Sequence, residues 1–278
     1  VLRDGDLALN PARTMKIKEG DQLIVIAPDD SLIRTSDSYA FDKTAISNSK
    51  IAAPKPEKAL ILGQNENLPV ILSELEQYVA KGSSVTLVSD QPKMTLAPSE
   101  KLKVTFVSGD PTLRAVLDRV KVQSFDHIIV LANRELSAEE SDAITLITLL
   151  QLRAIAAKSG KSFNIVTEML DDKNRQLAES AEADDFIVSD QLIGLMMSQI
   201  SENPDLAEVF GYLFSSEGSE ISLHPASWYV KLGETVDMHV LIEAAAKRGE
   251  TAIGYRKADL ESSQQNSYGV ALNPEKVR

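Results

Sequence analysis

Short apolar segments alternate with helix-forming segments from Lys58 onward, and this alternation limits the folds that the chain can adopt. The apolar runs are KALIL, SVTLVS, LKVTFVS, HIIVLA, FNIVTEM and DFIVS. Strands that alternate with helices pair in parallel, and strands that are apolar on both sides are buried on both faces of a sheet. The pattern therefore predicts an α/β fold with a Rossmann-like parallel sheet, strand order 3-2-1-4-5-6 and helices on both faces.

The pattern changes after the sixth apolar run. A long apolar stretch is interrupted at Asn203-Pro204, which predicts two helices, because proline disfavours a helical conformation of the residue before it. A small α+β lobe follows. We therefore predict that the chain begins with the end of a preceding lobe (residues 1–40), followed by a linker (41–57). A Rossmann-like N-lobe (58–200), a crossover helix (201–215) and an incomplete C-lobe (216–278) come after it.

The tetrapeptide ALNP occurs twice, at residues 8–11 and 271–274, an offset of 263 residues from Ala8 to Ala271. An offset of this length fits a repeat of whole domains rather than a solenoid. The first copy is followed by the apolar run LIVI at residues 23–26, which predicts a buried strand. We interpret the two copies as matching points in successive units of a tandem array, with a coincidence of turn residues as the alternative.

Charge and composition exclude several classes of protein. The chain carries 29 basic and 41 acidic residues, a net charge of −12, which argues against broad binding of nucleic acid or anionic membranes. There are no cysteines, so disulfides and thiolate metal sites are excluded. No run approaches the length of a membrane span and no signal peptide is recognisable, so we expect this polypeptide itself to be soluble.

Polar residues at the carboxyl ends of the predicted strands are the candidate ligand-binding residues, because these ends face one crevice in an open α/β sheet. The turn after the first strand reads GQNENL and has only the first glycine of the G-x-G-x-x-G signature, so a tight NAD site is not expected. The candidate ligands are a nucleotide such as NAD and the Ca²⁺ ion, and the sequence pattern does not decide between them. The candidate residues are Gly63, Gln64, Asn65, Asp90, Asp110, Asn133 and Glu168.

No catalytic constellation is evident. The chain has no G-x-S-x-G elbow and no phosphate-binding P-loop, and its three histidines share no metal-ligand spacing. We therefore expect no enzyme activity. Which residues would bind a metal ion, if one binds, stays open. Turn formation and helix capping are the competing explanation for the polar residues at the strand ends.

Four segments resemble the Castor/Pollux ion-channel family, whose cytosolic part is built from regulator of potassium conductance (RCK) domains. The segment beginning ALILGQNENLPVILSELEQYV is similar to the first βαβ unit of that family. The segment NIVTEMLDDKNRQLAESAEADDFIVSD and the helices after it resemble its crossover region. The segments GETVDMHVLIEAAAKRGETAIGYR and YGVALNP resemble its C-terminal lobe, so the likeness covers residues 58–278.

This resemblance implies the gating ring of a tetrameric cation channel, in which ligand binding to RCK domains moves the pore. It also implies a pore domain upstream in the same polypeptide and a position on the cytoplasmic face of a membrane. The alternatives are an NAD(P)-binding oxidoreductase-like protein and a soluble regulatory subunit of a separate transporter. Pore helices upstream of Val1 would favour the channel over the soluble subunit.

The two helices around Asn203-Pro204 are the candidate assembly surface. The helix before the break is apolar around more of its circumference than one core face requires, and the helix after it offers further apolar residues, so a second covering surface is needed. The RCK resemblance implies that the crossover helices of a partner subunit supply it, as a dimer within a tetrameric ring. The alternative is that the small lobe and the sheet of the same chain bury both helices. The candidate interface residues are Leu192, Met196, Phe210, Leu213 and Phe214.

Overall fold

The chain forms two compact units, of which one comprises residues 53–207 and the other residues 1–52 together with 208–278. A computed structural model describes residues 1–3, 6–12, 14–26, 42–47, 53, 55–160, 163–174, 185–215, 219–257 and 269–274. The proposed division into a preceding lobe, a linker and a following RCK unit stays a prediction.

The described residues form ten strands and six α-helices. The strands are β1 Leu2–Arg3, β2 Asp6–Leu7, β3 Lys58–Leu62, β4 Ser83–Ser89, β5 Leu102–Ser108, β6 His127–Val130, β7 Asn164–Met169, β8 Asp185–Val188, β9 Gly254–Arg256 and β10 Val270–Leu272. The helices are α1 Leu68–Tyr78, α2 Arg114–Val120, α3 Ala138–Ser159, α4 Ser189–Glu202, α5 Leu206–Phe214 and α6 Met238–Ala246. None of the helices in the described ranges combines the length and the apolar character that a membrane crossing requires.

The unit of residues 53–207 contains a six-stranded sheet with the order β5-β4-β3-β6-β7-β8. Every neighbouring pair is parallel, and in the centre Leu60 of β3 lies opposite Thr86 of β4 and Ile128 of β6. In the order of the strands along the chain this is 3-2-1-4-5-6. The prediction of a Rossmann-like parallel sheet is therefore confirmed.

Both faces of the sheet are covered, because successive side chains of the central strand enter different cores. Leu60 and Leu62 pack with residues of α2 and α3, whereas Ile61 packs on the opposite face with Leu68 and Leu72 of α1. None of these three side chains of β3 is exposed to solvent. A strand segment buried on both faces must be apolar, which explains the run Leu60-Ile61-Leu62, whereas Lys58 at the start of the strand is exposed.

Helix ends follow local capping chemistry. In the sequence, Ser137 and Glu140 have the spacing of a capping box, which predicts a helix start there. The structure confirms it: at the start of α3, Ser137 accepts from the backbone N–H of Glu140, whose side chain accepts from the backbone N–H of Ser137.

Proline suits the first turn of a helix, so the sequence predicts a helix from Pro111. Helix α2 begins at Arg114 instead, because the Asp110 carboxylate accepts from the backbone N–H and the hydroxyl of Thr112 and holds the chain in a turn. The segment DDKNRQLAESA at residues 171–181 also predicts a helix, and it lies mostly outside the described residues.

The other unit is built around a separate small core. Ala45, Ile46, Val230, Val240 and Ala244 form it, and Ile46 makes an antiparallel bridge to Val230. Strands β9 and β10 pair antiparallel, and so do β1 and β2.

The prediction of a buried strand at residues 23–26 is wrong. These residues form no strand, and the side chains of Leu23 and Val25 are 60% and 52% exposed. Among the described residues, the only bridge in this region joins Leu2 to Gln22, just before the run. An apolar run forms a strand only where the backbone of another strand is available for pairing. The pattern of apolar residues in the run itself does not indicate whether such a partner strand is present.

The two matching asparagines of the ALNP copies both make contacts in this unit. Asn10 donates from Nδ2 to the carbonyl of Gly249 and accepts from the Thr251 hydroxyl, whereas Asn273 donates from Nδ2 to the carbonyl of Ile26. Both asparagines therefore donate to a backbone carbonyl that is distant in the sequence, but their partners differ.

Gly63 and Gly194 provide a matched test of the packing of the sheet. A Cβ at Gly63 would lie 2.7 Å from the carbonyl oxygen of Leu131 at a φ of +86°, whereas nothing lies within 4 Å of a Cβ at Gly194 in α4. We expect Gly63→Ala to lower the free energy of unfolding by at least about 2 kcal/mol. Gly194→Ala should leave it unchanged or raise it by up to about 1 kcal/mol. Urea unfolding followed by circular dichroism measures both, and equal effects would show that Gly63 is not required for packing.

Candidate functional site

The carboxyl ends of β3, β4, β6 and β7 meet at one edge of the parallel sheet and form a polar crevice. Gly63 and Asn65 follow β3, Gln91 follows β4, Asn133 follows β6, and Glu168 lies near the end of β7. The parallel pairing of these strands brings together residues that lie more than a hundred positions apart. The crevice is the candidate functional site.

Glu168 is the centre of a hydrogen-bond network that crosses three strands. One carboxylate oxygen, Oε2, accepts from the Asn65 side-chain amide at 2.8 Å and from the backbone N–H of Ala132 at 3.1 Å. The other oxygen, Oε1, accepts from Arg134 at 2.7 Å. The side chain of Glu168 is only 10% exposed. A carboxylate with these partners and this burial is a fixed part of the structure rather than a solvated surface group.

Arg134 continues the network toward solvent. Its guanidinium also lies 3.6 Å from the carboxylate of Glu66, whose side chain is 64% exposed. The charge of Arg134 is thus shared between a buried carboxylate and one at the surface. The same arginine was absent from the sequence-based candidates, because nothing in the local sequence places it beside Glu168.

The turn after β3 does not fit a dinucleotide pyrophosphate. Gly63 permits the close approach of its own backbone to the Leu131 carbonyl, which is a packing role within the sheet. Asn65 stands at the second glycine position of the nucleotide signature, and its side-chain amide is bonded to the Ala132 carbonyl and to Glu168. A phosphate here would meet the carboxylate of Glu168, and like charges at short range repel.

A cavity of about 400 Å³ opens beside this turn. Seven of its nine lining residues carry a carboxamide or a charged group, and the other two are apolar. The lining residues are Gln64, Asn65, Glu66, Gln91, Pro92, Met94, Asn133, Arg134 and Glu135. Three of the sequence-based candidates, Gln64, Asn65 and Asn133, thus lie together in one wall.

Gln64 is the most buried of the side chains in this wall, with 5% exposure. Its side-chain nitrogen, Nε2, donates to the carbonyl of Pro92 at 2.7 Å. Within the described part of the chain, its side-chain oxygen, Oε1, has no hydrogen-bond partner. Because Nε2 is the donor to Pro92, the oxygen is the atom left with an unused capacity to accept a hydrogen bond.

The remaining candidates have other positions. Asp90 is exposed and is not part of the cavity wall. Asp110 accepts from Thr112 in the turn before α2. Asn133 accepts through Oδ1 from the backbone N–H of Glu135, which is also a turn contact, although its side chain lines the cavity. Turn formation therefore accounts for the described contacts of Asp110, while Asn133 has both a turn contact and a place in the wall.

Asp142 is a second buried carboxylate that the sequence did not indicate. It lies in α3 with 1% exposure and accepts from the backbone N–H groups of Leu170 and Asp171 at 2.9 and 3.0 Å. The side-chain amide of Asn174 donates to it at 2.8 Å. Asp142 thereby anchors the chain immediately after β7, the strand that carries Glu168.

Residues 60–189 match the TrkA-N domain family. Over nearly its whole length the chain is similar to plant ion channels. The probable ion channel POLLUX of Arabidopsis thaliana is 26% identical over 308 residues, which covers 96% of this chain and 37% of that protein. The ion channel CASTOR of Lotus japonicus is 24% identical over 302 residues, which covers 94% of this chain and 35% of that protein. The resemblance to the Castor/Pollux family is therefore confirmed.

The chain spans little more than a third of the length of these curated relatives. Among solved structures, the crystal structure of the GsuK RCK domain matches with a TM-score of 0.44 and 18% identity, covering 57% of this chain and 30% of that one.

Glu168 and Glu135 provide a matched test of the network. Replacing Glu168 by alanine leaves Arg134, Asn65 and Ala132 without their shared acceptor, so we expect the free energy of unfolding to fall by about 3 kcal/mol. Glu135 is an exposed glutamate in the same crevice, and its replacement by alanine should change the free energy by less than about 0.5 kcal/mol. Urea unfolding of both variants measures the difference. A loss below 1 kcal/mol (about the value of one hydrogen bond) for Glu168→Ala would contradict the assigned role.

Proposed function

We propose that this chain is the cytosolic ligand-sensing and assembly part of a tetrameric cation channel. The observation that carries the proposal is the similarity of 92–98% of the chain to proteins named as ion channels. In this proposal a pore domain lies upstream in the same polypeptide, and the chain stands at the cytoplasmic face of a membrane. It is a binding and gating module rather than an enzyme.

The crevice at the carboxyl ends of the strands is the proposed ligand site. The seven proposed contact residues are those derived from the sequence, and the structure supports them unequally. Gln64, Asn65 and Asn133 line the cavity, and Glu168 is bonded to Asn65 behind it. A ligand that engages this wall would act on residues that are tied to β3, β6 and β7 together. Binding would thereby stabilise one arrangement of the strand ends over another, which is what coupling to a gate requires.

The crossover helices α4 and α5 are the proposed assembly surface. In the single chain, apolar side chains of α4 and α5 are left in contact with water: Leu192 is 44% exposed and Phe214 is 60% exposed. Met196, Phe210 and Leu213 are intermediate in exposure. Exposed apolar side chains of this kind on a helix are typical of a protein–protein interface, and each of the two helices carries them. A dimer formed here within a tetrameric ring would bury roughly 2,000 Å² in total.

Aspartate substitutions test the assembly surface. We expect the wild-type chain to be a dimer or larger by light scattering at micromolar concentration, and Phe210→Asp/Phe214→Asp to be a folded monomer, because a buried unpaired charge strongly disfavours an apolar interface. Val70→Asp is the matched control: Val70 is 63% exposed on α1, outside the proposed interface. It should leave the oligomer intact. A monomeric wild-type chain would remove the physical basis of the assembly proposal.

Ion flux tests the proposed function itself. The complete gene product, reconstituted in liposomes, should conduct K⁺ or another cation. Glu168→Gln should change the open probability by about threefold or more, since about 0.7 kcal/mol between two states has that effect. Glu100→Gln is the control, because Glu100 is exposed and precedes β5, at the opposite edge of the sheet. Correctly inserted protein that conducts no cation would overturn the channel assignment. Conductance that appears only with a separate membrane protein would favour a regulatory subunit.

A further inference from the structure

We infer that, in the complete polypeptide, the residues immediately before Val1 continue β1 upstream as a strand that is bonded on both edges. One edge pairs with the first ALNP copy, and the other pairs with the exposed apolar run at residues 23–26. The inference concerns a single compact unit, that of residues 1–52 and 208–278, and it does not depend on the channel assignment. It stands on the register of β1, on a second hairpin with the same register, and on backbone groups that are unpaired among the described residues.

Strand β1 is already bonded on both edges. Val1 exchanges two backbone hydrogen bonds with Ala8, of 2.6 and 2.8 Å. The next residue, Leu2, exchanges two backbone hydrogen bonds with Gln22, of 2.9 and 3.0 Å. Successive residues of a central antiparallel strand bond alternately to its two neighbours. A residue before Val1 that continued the strand would therefore bond to the side of Gln22, and the residue before that one to the side of Ala8.

The hairpin of β9 and β10, which leads into the second ALNP copy, has the same register. Ala271 lies opposite Tyr255, as Ala8 of the first copy lies opposite Val1. Strand β9 is therefore the counterpart of β1.

The counterpart strand extends further upstream than β1 does. Two residues before Tyr255, the carbonyl of Ile253 accepts from the backbone N–H of Asn273 at 2.7 Å. Asn10 is the matching asparagine of the first copy, and among the described residues its backbone N–H has no hydrogen-bond partner. The acceptor that the second hairpin provides corresponds to a carbonyl two positions before Val1.

The other edge of the continued strand faces the apolar run. The register of β1 with Gln22 places Leu23 opposite Val1. Ile24 then lies opposite the position before Val1, and neither of its backbone groups has a hydrogen-bond partner within the described ranges. The side chain of Leu23 is 60% exposed. An extended apolar segment with an unpaired backbone is the kind of edge to which a further strand adds.

The upstream residues of the same polypeptide are the occupant that this geometry favours. They are joined to Val1 by a peptide bond, so they reach both edges without a separate association step. The hydrogen bonds of Val1 and Leu2 already fix the register on the two edges. The carbonyl of Ile26 accepts from the side-chain amide of Asn273, so the predicted pairing ends before Ile26. The upstream part of the protein would then enter this unit through a strand held on both edges rather than through a free tether.

The second hairpin also predicts which residue precedes Val1. Gly254 matches that position, and a Cβ on Gly254 would clash with the carbonyl oxygen of Ala271. The same approach to the carbonyl of Ala8 requires a residue without a Cβ. We therefore expect the gene to encode glycine immediately before Val1, and a β-branched or aromatic residue there would contradict the match between the two hairpins.

Amide hydrogen exchange followed by NMR tests the inference on two chains. One is the present chain, and the other is the same chain extended upstream by about ten residues of its gene, a full strand length. We expect the amides of Ile24 and Asn10 to exchange at least about tenfold more slowly in the extended chain, because each gains a backbone acceptor. The amides of Leu23 and Val25 point to the opposite edge and should not change. Leu87, in β4 of the other unit, is the control for equal folding of the two chains.

Three results would overturn the inference. The first is unchanged exchange of Ile24 and Asn10 in the extended chain. The second is protection of Leu23 and Val25 in their place, which would mean that the strand pairs in another register. The third is protection of Ile24 that rises with the concentration of the present chain, which would assign this edge to a second copy.

Proline substitutions at neighbouring positions separate the two edges of the run. Ile24→Pro removes the N–H predicted to bond to the upstream strand, whereas Val25→Pro removes an N–H that points away from it. Extension of the chain should raise the Tm of the wild type and of Val25→Pro by about 2 °C or more, and that of Ile24→Pro by less. Equal gains for the two variants would contradict the predicted register.

Discussion

Exclusion of water from both faces of a parallel sheet is the constraint on which the larger unit depends. Leu60 and Leu62 point into one core and Ile61 into the other, so neither layer of helices can be removed without exposing the central strand. The same requirement favours the ends of the strands for charged side chains, because a charge inside either core would need a buried partner. The carboxylate of Glu168, near the end of β7, has such partners.

Within that crevice the protein uses its own carboxylate to connect the strand ends. Glu168 binds Asn65 after β3, Ala132 after β6 and Arg134 beyond it. Asp142 anchors the chain that follows β7 by an independent set of hydrogen bonds. The two buried acids therefore act on neighbouring parts of the same strand end: Glu168 from within β7, and Asp142 from α3, which precedes β7 in the chain. A change at the crevice therefore acts on a region whose backbone is held by defined side-chain contacts.

The larger unit was predictable from the sequence because its signals are local. Apolar runs, a capping box and a proline break each depend on residues a few positions apart, and they indicated the strand order, the start of α3 and the break between α4 and α5. The network of the crevice depends on pairs such as Asn65 and Glu168, which lie 103 positions apart. No periodicity links such residues, so the sequence could place them at strand ends but could not choose which of them touch. The run at residues 23–26 failed for a related reason, since its apolar character says nothing about the presence of a pairing edge.

The position of Gly63 affects how glycine-containing signatures are interpreted in folds of this kind. Its missing Cβ accommodates the carbonyl of Leu131 from the neighbouring strand, and its positive φ turns the chain away from the sheet. Both demands come from the backbone and would exist if no molecule ever entered the crevice. A pattern search that scores this glycine as the first position of a nucleotide fingerprint counts a steric requirement of strand packing as a sign of binding. The informative positions are those where the second and third glycines would stand, and here they hold Asn65 and Leu68.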